Sequence, residues 1–266
     1  MIKYRLVFTF LFVVVLGCAD NESSGELDSS PLVSKPEVGN QTSSARKSQK
    51  NNKPLYPRLN SDNCVDFLLE FGKENPETKI VMHTSKGDIE IELLEETPLH
   101  RANFVYLIKR EYFNPTEILR IVKGFIIQGG NSEAEVPQEK RWIIGDYCLP
   151  PEIRPEHFHR RGALAMSRSY VANPYKCSAP YDFYIVQGRK IGRLELFQNS
   201  EENGREYTAK EKRIYAETGG APHLDNEHTV FGYVTNGMSV IDEIGALETD
   251  ASDWPKEYVE LTIEIR

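Results

Sequence analysis

The chain has 266 residues and a formal net charge of −8, a length that fits one ordinary domain together with extra segments. An acidic balance argues against nucleic acid as the main partner, because phosphate binding needs a basic surface. After the N-terminus the sequence contains no run of 18 apolar residues, so no internal membrane span is predicted.

The N-terminus has the pattern of a targeting segment. Lys3 and Arg5 precede an apolar stretch over 6–16, which is too short to span a bilayer comfortably. The stretch runs into Val-Leu-Gly-Cys, ending at Cys18, and this motif resembles a bacterial lipobox. The resemblance implies that residues 1–17 are a signal peptide and that Cys18 is lipidated, which would anchor an extracytoplasmic protein to the cell envelope. A plain secretory signal or a short anchor is the alternative.

Four segments lie outside the alternating β pattern: a tether, an N-terminal extension and two inserts. Residues 18–60 are rich in Ser, Asn, Pro and Lys, which predicts a disordered tether, because such a segment cannot bury enough apolar surface to fold. Residues 61–78 are predicted to form a short helical extension ahead of the first strand. Residues of about 131–160 form an irregular stretch in a surface insert, and 189–218 form a second insert.

Short alternating runs predict a mainly β domain. Strands are predicted over 79–84, 88–93, 118–130 (a strand pair broken at Lys123–Gly124), 162–167, 183–188, 229–234 and 257–265. A helix is predicted to begin at Thr97-Pro98 and another spans 237–244, while Thr208 and Glu211 form a capping box inside the second insert. Pattern alone leaves a barrel and a sandwich about equally favoured.

Two polar residues interrupt the strand pair over 118–130. Arg120 and Gln128 stand among β-branched and aromatic residues, where unused donors are costly. Either both side chains face solvent, or both point into a pocket together with Phe125.

Three cysteines follow Cys18, namely Cys64, Cys148 and Cys177. An oxidising compartment permits disulfides, and Cys148 could pair with Cys177. The sequence does not decide this pairing, and three thiols leave at least one unpaired.

Four separated patches together resemble the cyclophilins, the peptidyl-prolyl cis-trans isomerases. The first is Arg-x-x-x-Gly-Phe-x-x-Gln-Gly-Gly over 120–130. The others are Met-Ser-Arg-Ser over 166–169, Asp-Phe-Tyr-Ile over 182–185, and the segment 219–232, which ends in Val-Phe-Gly. Each patch alone is a weak signal, but the four occur in the family's order.

The resemblance implies a closed eight-stranded antiparallel cyclophilin-like barrel over 79–266, capped by two helices and interrupted by the helical or loop inserts. It also implies an isomerase that accelerates rotation about Xaa-Pro bonds and assists the folding of exported proteins. The expected partners are proline-containing polypeptides and a membrane, reached through the lipid anchor. We expect a monomer that binds no nucleic acid.

The resemblance assigns the catalytic residues to Arg120, Phe125 and Gln128. The substrate-binding residues it implies are Ile126, Ser167, Arg168, Asp182, Tyr184, His223, Leu224 and His228. Within these sets, Phe125, Tyr184 and Leu224 would hold the proline ring.

Three site positions depart from the family pattern. Asp182 replaces a Gln, Arg168 replaces an Asn, and His223 stands where some members carry Trp. Asp182 is expected to pair with Arg120 or Arg168, or to disturb substrate binding.

No cofactor and no metal are expected. His223, Asp225 and His228 lie close in sequence, and His157 alternates with His159, so either group could in principle supply metal ligands. However, His223 and His228 have pocket-wall positions in the family pattern. The pair at 157 and 159 is expected to lie in a surface insert.

Two other functions remain open on the sequence. One is a non-catalytic cyclophilin-like module that binds proline-containing peptides or a partner at the cell envelope, because a fold does not guarantee an activity. The other is a structural envelope lipoprotein that uses its inserts as a docking surface.

Overall fold

The computed structural model of the chain describes residues 56–266. The predicted lipidation site Cys18 and most of the predicted tether therefore lie outside the described residues. Between residues 56 and 266 no helix has the length and apolar character needed to cross a membrane.

The described chain contains eight strands that close into a barrel. Their bounds are β1 Lys79–Thr84, β2 Gly87–Leu93, β3 Thr116–Val122, β4 Ile126–Gly129, β5 Ala163–Met166, β6 Phe183–Val186, β7 Val230–Asn236 and β8 Glu260–Ile265. Around the barrel the order is β1-β2-β7-β5-β6-β4-β3-β8, and all neighbours are antiparallel. Side chains alternate, so that Ile89, Ile91 and Leu93 of β2 are buried while residues between them are not. The predicted closed barrel is confirmed, and its closure leaves no free sheet edge.

The described residues contain six α-helices, which lie against the barrel or in its inserts. Their bounds are α1 Cys64–Glu74, α2 Pro98–Lys109, α3 Glu135–Ile144, α4 Arg193–Asn203, α5 Ala209–Glu217 and α6 Met238–Gly245. Phe104 of α2 and Ile241 and Ile244 of α6 are fully buried in the same core as the inward-facing barrel residues. These two helices were predicted from the sequence, and α1 lies within the helical extension predicted over 61–78.

The inserts contain more helix than the sequence indicated. Residues 131–160 were predicted to be irregular, which is wrong because α3 forms there. The residues before α3 and α4 are Ala134 and Gly192, and neither provides a side-chain cap, so neither start carried a sequence signal. By contrast, the predicted capping box of α5 is present: the Glu211 amide donates to the Thr208 hydroxyl at 3.3 Å.

Packing begins before the predicted end of the tether. Leu59 is fully buried, and the Tyr56 ring lies 5.4 Å from the ring of Tyr106 and within 6.1 Å of Phe67 and Phe71. The prediction that the tether extends to residue 60 is therefore wrong at its C-terminal end. Isolated apolar residues in a polar segment gave no periodic signal there.

The three cysteines in the described chain are free thiols. Cys148 and Cys177 directly precede Leu149 and Ser178, which pair as an isolated antiparallel bridge. Although Cys148 is exposed as a residue, partial desolvation of its thiol, and next the neighbouring Cys177 thiol, raise its pKa to about 11. The thiol of Cys148 is therefore protonated near neutral pH.

The contact between Leu59 and Gly145 offers a test of how the N-terminal segment is held. Gly145 has φ +140°, and an added Cβ would overlap the Leu59 carbonyl oxygen and lie 2.6 Å from the Leu59 nitrogen. We expect Gly145→Ala to lower the free energy of unfolding by about 3 kcal/mol or more, since backbone strain and overlap add. Urea denaturation of the two proteins measures this difference.

Gly204→Ala is the matched control. Gly204 also has a positive φ, +59°, but a Cβ there meets no atom within 4 Å, so only the conformational cost of roughly 1–2 kcal/mol remains. Equal losses in the two variants would show that the Leu59 contact contributes nothing to stability.

Candidate active site

The hairpin of β3 and β4 places Arg120 directly opposite Gln128. A turn at Lys123–Gly124 joins the strands, with Gly124 at φ +73°, a conformation that glycine adopts without strain. The Gly124 amide donates to the Gln187 side-chain oxygen at 2.6 Å, which fixes the turn. The two polar residues therefore face the same side of the sheet, as the pocket hypothesis required.

The Arg120 guanidinium is held by Asp253. Its Nε and Nη2 donate to Asp253 Oδ2 at 3.2 and 3.1 Å, while 43% of the arginine side chain remains exposed. Asp253 lies in the loop between α6 and β8, and its carbonyl accepts the Ile121 amide at 2.9 Å. One edge of the guanidinium is thus fixed and the rest faces solvent. Asp253 was missed, because nothing in its local sequence marks it.

Gln128 binds Asp182. Its Nε2 donates to both carboxylate oxygens at 2.9 and 3.0 Å. The expectation that Asp182 pairs with Arg120 or Arg168 is therefore wrong, since those arginines pair with Asp253 and Glu227 instead. Burial raises the pKa of Asp182 to about 6, so this carboxyl changes charge in the mildly acidic range.

An apolar cluster separate from the main core borders these polar groups. Its buried members are Ile126, Ala163, Ala165, Tyr184, Val186, Ala221, Leu224 and Val230. Half-buried Phe125 packs against this cluster, and its ring lies 4.9 Å from the His223 ring. The structure therefore brings the three residues predicted to hold proline, Phe125, Tyr184 and Leu224, into one apolar surface.

Arg168 is enclosed rather than free. Its Nε donates to the Glu227 carbonyl at 2.7 Å, its Nη2 pairs with the Glu227 carboxylate, and only 5% of its side chain is exposed. Its guanidinium carbon lies 4.1 Å from the centre of the Tyr170 ring. The neighbouring Ser167 is buried, and its amide donates to the Asp182 carbonyl at 2.8 Å. Arg168 and Ser167 are therefore held by contacts within the protein, Arg168 by Glu227 and Tyr170 and Ser167 by the Asp182 carbonyl.

His228 is a neutral wall residue. Burial lowers its pKa to about 4. Its Nδ1 lies 3.1 Å from the Met166 carbonyl and its Nε2 lies 2.8 Å from the Tyr170 hydroxyl. The geometry assigns the ring proton to Nδ1, which leaves Nε2 to accept from Tyr170. Tyr170, which is 64% exposed, was not recognised from the sequence.

A buried polar network lies behind Tyr184. The Tyr184 hydroxyl is 3.0 Å from His159 Nε2, and His159 Nδ1 is 2.9 Å from Asp225 Oδ1. The expectation that His159 lies at the surface is wrong, because it is 1% exposed. Tyr215 and Tyr207 of the second insert donate to Asp225 Oδ2 at 2.6 and 3.0 Å. The insert is thereby joined to the pocket.

Asp225 is charged in this network. Burial alone would raise its pKa, but hydrogen bonds from His159 and Tyr215 and the charge of Arg205 hold the pKa below its usual value. A buried carboxylate of this kind needs its full set of donors.

Seven of the predicted site residues lie on adjacent strands or in the segment before β7, while Phe125, Ser167, Arg168 and Asp182 flank the strand ends. Arg120, Ile126, Gln128 and Tyr184 are on β3, β4 and β6, while His223, Leu224 and His228 precede β7. Among residues 56–266 no three His, Cys or acidic side chains are grouped as metal ligands.

Comparisons with known proteins agree with this geometry. Residues 79–264 match the family model described as cyclophilin type peptidyl-prolyl cis-trans isomerase/CLD. A Staphylococcus saprophyticus protein named putative peptidyl-prolyl cis-trans isomerase is 32% identical over 212 residues, covering 79% of this chain and 98% of the relative. A Streptococcus pyogenes protein named putative bifunctional phosphatase/peptidyl-prolyl cis-trans isomerase is 35% identical over 211 residues, but that match spans only 42% of it and 76% of this chain.

A solved structure supports the fold. The crystal structure of a Cryptosporidium parvum cyclophilin type peptidyl-prolyl cis-trans isomerase has a TM-score of 0.51 and 22% identity, covering 71% of this chain and 98% of that one. The same protein was also crystallised in the presence of the dipeptide Ala-Pro. With the barrel, the four sequence patches and the family match in agreement, the chain belongs to the cyclophilin-type peptidyl-prolyl cis-trans isomerase family.

Proposed function

We propose that this cyclophilin-type peptidyl-prolyl cis-trans isomerase accelerates rotation about Xaa-Pro bonds in exported proteins, as a monomeric folding assistant held at the cell envelope by lipid on Cys18. The observation that carries the catalytic part is the fixed guanidinium of Arg120 beside the apolar surface of Phe125, Tyr184 and Leu224. The Ala-Pro dipeptide used with the similar cyclophilin supports proline-containing polypeptides as substrates.

Arg120 acts on the electronic origin of the barrier. Amide resonance gives the C–N bond double-bond character and a barrier of about 18–20 kcal/mol. Twisting that bond localises a lone pair on the proline nitrogen, and a guanidinium donor near the nitrogen stabilises the twisted state more than the planar one. Asp253 holds Nε and Nη2, which leaves Nη1 for the substrate.

The remaining residues position the substrate. Phe125, Tyr184 and Leu224 hold the proline ring against an apolar surface, and Ile126 completes it. Gln128 uses its amide N–H on Asp182, so its carbonyl oxygen can accept a substrate backbone N–H. Four further residues border the bound substrate segment, namely Ser167, Arg168, His223 and His228.

The exported location rests on the N-terminal sequence. Lys3, Arg5 and the apolar residues 6–16 form a signal-like segment that ends at Cys18. Acyl chains contribute roughly 0.8 kcal/mol for each buried methylene, so more than one chain gives stable anchoring.

A non-catalytic proline-binding module is the second candidate. The observation that favours it is the acidic surroundings of Arg120, which pairs with Asp253 and lies near enough to Asp182 to influence its charge. Both carboxylates weaken the positive field at the proline nitrogen. A peptide that binds without faster cis–trans exchange would select this candidate.

Arg120→Ala tests the enzyme directly. We expect kcat/KM for an Xaa-Pro peptide to fall by about 100-fold or more, as removal of one such preorganised donor does in other enzymes. NMR exchange spectroscopy measures the cis–trans rate with and without protein. Lys123→Ala, an exposed change in the same hairpin, serves as the control and should retain wild-type exchange. Wild-type exchange no faster than the uncatalysed rate would reject the enzyme.

Asp182 predicts a pH dependence. Its pKa of about 6 means that the carboxyl is neutral below this pH and negative above it, where it opposes the Arg120 charge. We therefore expect kcat/KM to fall as pH rises through 6. Asp182→Asn should remove this inflection and give a rate at pH 7.5 that is several-fold above wild type.

The raised pKa of Asp182 also makes the free energy of unfolding depend on pH, and Asp182→Asn should remove that dependence. The folded carboxyl binds its proton more tightly than an unfolded one, whose pKa is about 3.9. The proton-linked stabilisation is therefore complete below that value and lost as pH rises through about 6. If the inflection of kcat/KM near pH 6 persists in Asp182→Asn, the pH dependence of the rate belongs to another group, such as His223.

Cys18→Ala tests the anchor. In a bacterial host that processes lipoproteins, we expect the wild-type protein in the membrane fraction with an acyl mass increase at its N-terminus. The variant should lack that mass increase, and mass spectrometry of the mature N-terminus measures it. Cys148→Ala, a change at an exposed thiol, is the control. Acylation of the Cys18→Ala protein would contradict the lipobox interpretation.

A further inference from the structure

The second insert carries an apolar groove that the proposed mechanism does not use. The groove lies between α4 and α5, has a volume of about 480 Å³ and is lined in part by Ile191, Leu196 and Phe197. Phe197 is 61% exposed, and Leu194 on the same helix is 71% exposed. Adjoining exposed apolar side chains of this kind are typical of an interaction surface.

Basic side chains surround the groove. Arg193, Lys212 and Arg213 line it, all three are exposed, and no acidic residue is among its lining residues. The ion pairs formed by arginines of this insert join Arg189 to Glu195, and Arg205 to both Glu211 and Asp225. Within residues 56–266 none of the three groove cations forms an ion pair. An acidic and apolar peptide is therefore the complementary occupant.

Buried hydrogen bonds connect the groove to the proline pocket. Tyr207 lines the groove, and its hydroxyl donates to Asp225 Oδ2 at 3.0 Å and lies 3.2 Å from the Pro222 carbonyl. The Asn203 amide donates to the same carbonyl at 2.8 Å. Residues Pro222–Leu224 form a 3-10 helix that includes pocket residues His223 and Leu224. The groove residue Tyr207 thus bonds directly to the segment that carries His223 and Leu224.

We propose that the groove binds an acidic, apolar segment of the same polypeptide whose proline occupies the pocket. This inference rests on the proposed function. Because the two sites are held by one buried network, binding of the flanking segment raises the effective concentration of the proline at the pocket. The insert therefore selects clients by the sequence beside the proline.

Matched peptides test the proposal. Two peptides carry the same Xaa-Pro bond and a flank of Leu and Phe, with Glu interspersed in one and Lys in the other. The flank is placed on either side of the proline in separate series. We expect the acidic peptide to show at least a fivefold lower KM than the basic peptide in one series, with similar kcat, by NMR exchange.

A variant with the three groove cations reversed in charge tests whether they select the acidic flank. In R193E/K212E/R213E the KM ratio of the two peptides should invert. Lys210→Glu is the control, since Lys210 is exposed on α5 but does not line the groove, and it should keep the wild-type ratio. Exchange of an Xaa-Pro tetrapeptide with no flank, measured on the wild-type protein, tests catalysis separately from the groove.

Three results would overturn the proposal. One is equal KM values for the acidic and basic peptides in both series, with the tetrapeptide still catalysed. Another is an equal change of the ratio in Lys210→Glu. The third is binding of the acidic flank alone, measured by fluorescence anisotropy, without any decrease in the KM of the linked proline peptide, which would assign the groove to a separate partner.

Discussion

A single buried carboxylate determines how this barrel, its second insert and its pocket fit together. Asp225 is 1% exposed and accepts hydrogen bonds from His159, Tyr207 and Tyr215. Removing a charge from water is costly unless every acceptor site is used. Two tyrosines of the insert therefore satisfy the carboxylate, Tyr207 from the loop between α4 and α5 and Tyr215 from α5, and the carboxylate in turn orients His159 toward Tyr184. Parts of the chain that are distant in sequence are made interdependent by this one group.

Polar groups around the pocket are paired with one another in a consistent way. Arg168 is neutralised by Glu227, Gln128 is occupied by Asp182, and His228 is kept neutral by burial. Arg120 keeps much of its side chain exposed despite its pair with Asp253. Among these groups Arg120 is therefore the one whose positive charge remains accessible to solvent, while the others are held by their partners.

The sequence predicted the features that depend on local pattern. Alternation marked the strands of the barrel, and Arg120 and Gln128 stood out as polar residues interrupting an apolar strand pair, with their roles implied by the cyclophilin resemblance. Asp253 could not be found in this way, since it lies 133 residues from Arg120 and only the meeting of β3 with the loop before β8 brings them together. His159 was misjudged because an alternating pair in an irregular stretch has the pattern of a surface loop. Helices α3 and α4 begin without capping side chains, so no sequence signal marked the residue at which either helix begins.

The entry of the N-terminal segment into the fold has a mechanical consequence. Leu59 lies opposite Gly145 in a parallel bridge, in which the Leu59 amide donates to the Ile144 carbonyl at 2.7 Å and the Leu59 carbonyl accepts the Asp146 amide at 3.1 Å. Tyr56 packs on the aromatic rings of α1 and α2. Tension applied to the chain ahead of Tyr56 therefore acts first on the bridge between Leu59 and Gly145 and on these aromatic contacts. The Gly145 carbonyl also accepts the Tyr181 hydroxyl at 2.7 Å, and Tyr181 lies just before β6, so such a load reaches the base of the strand that carries Tyr184.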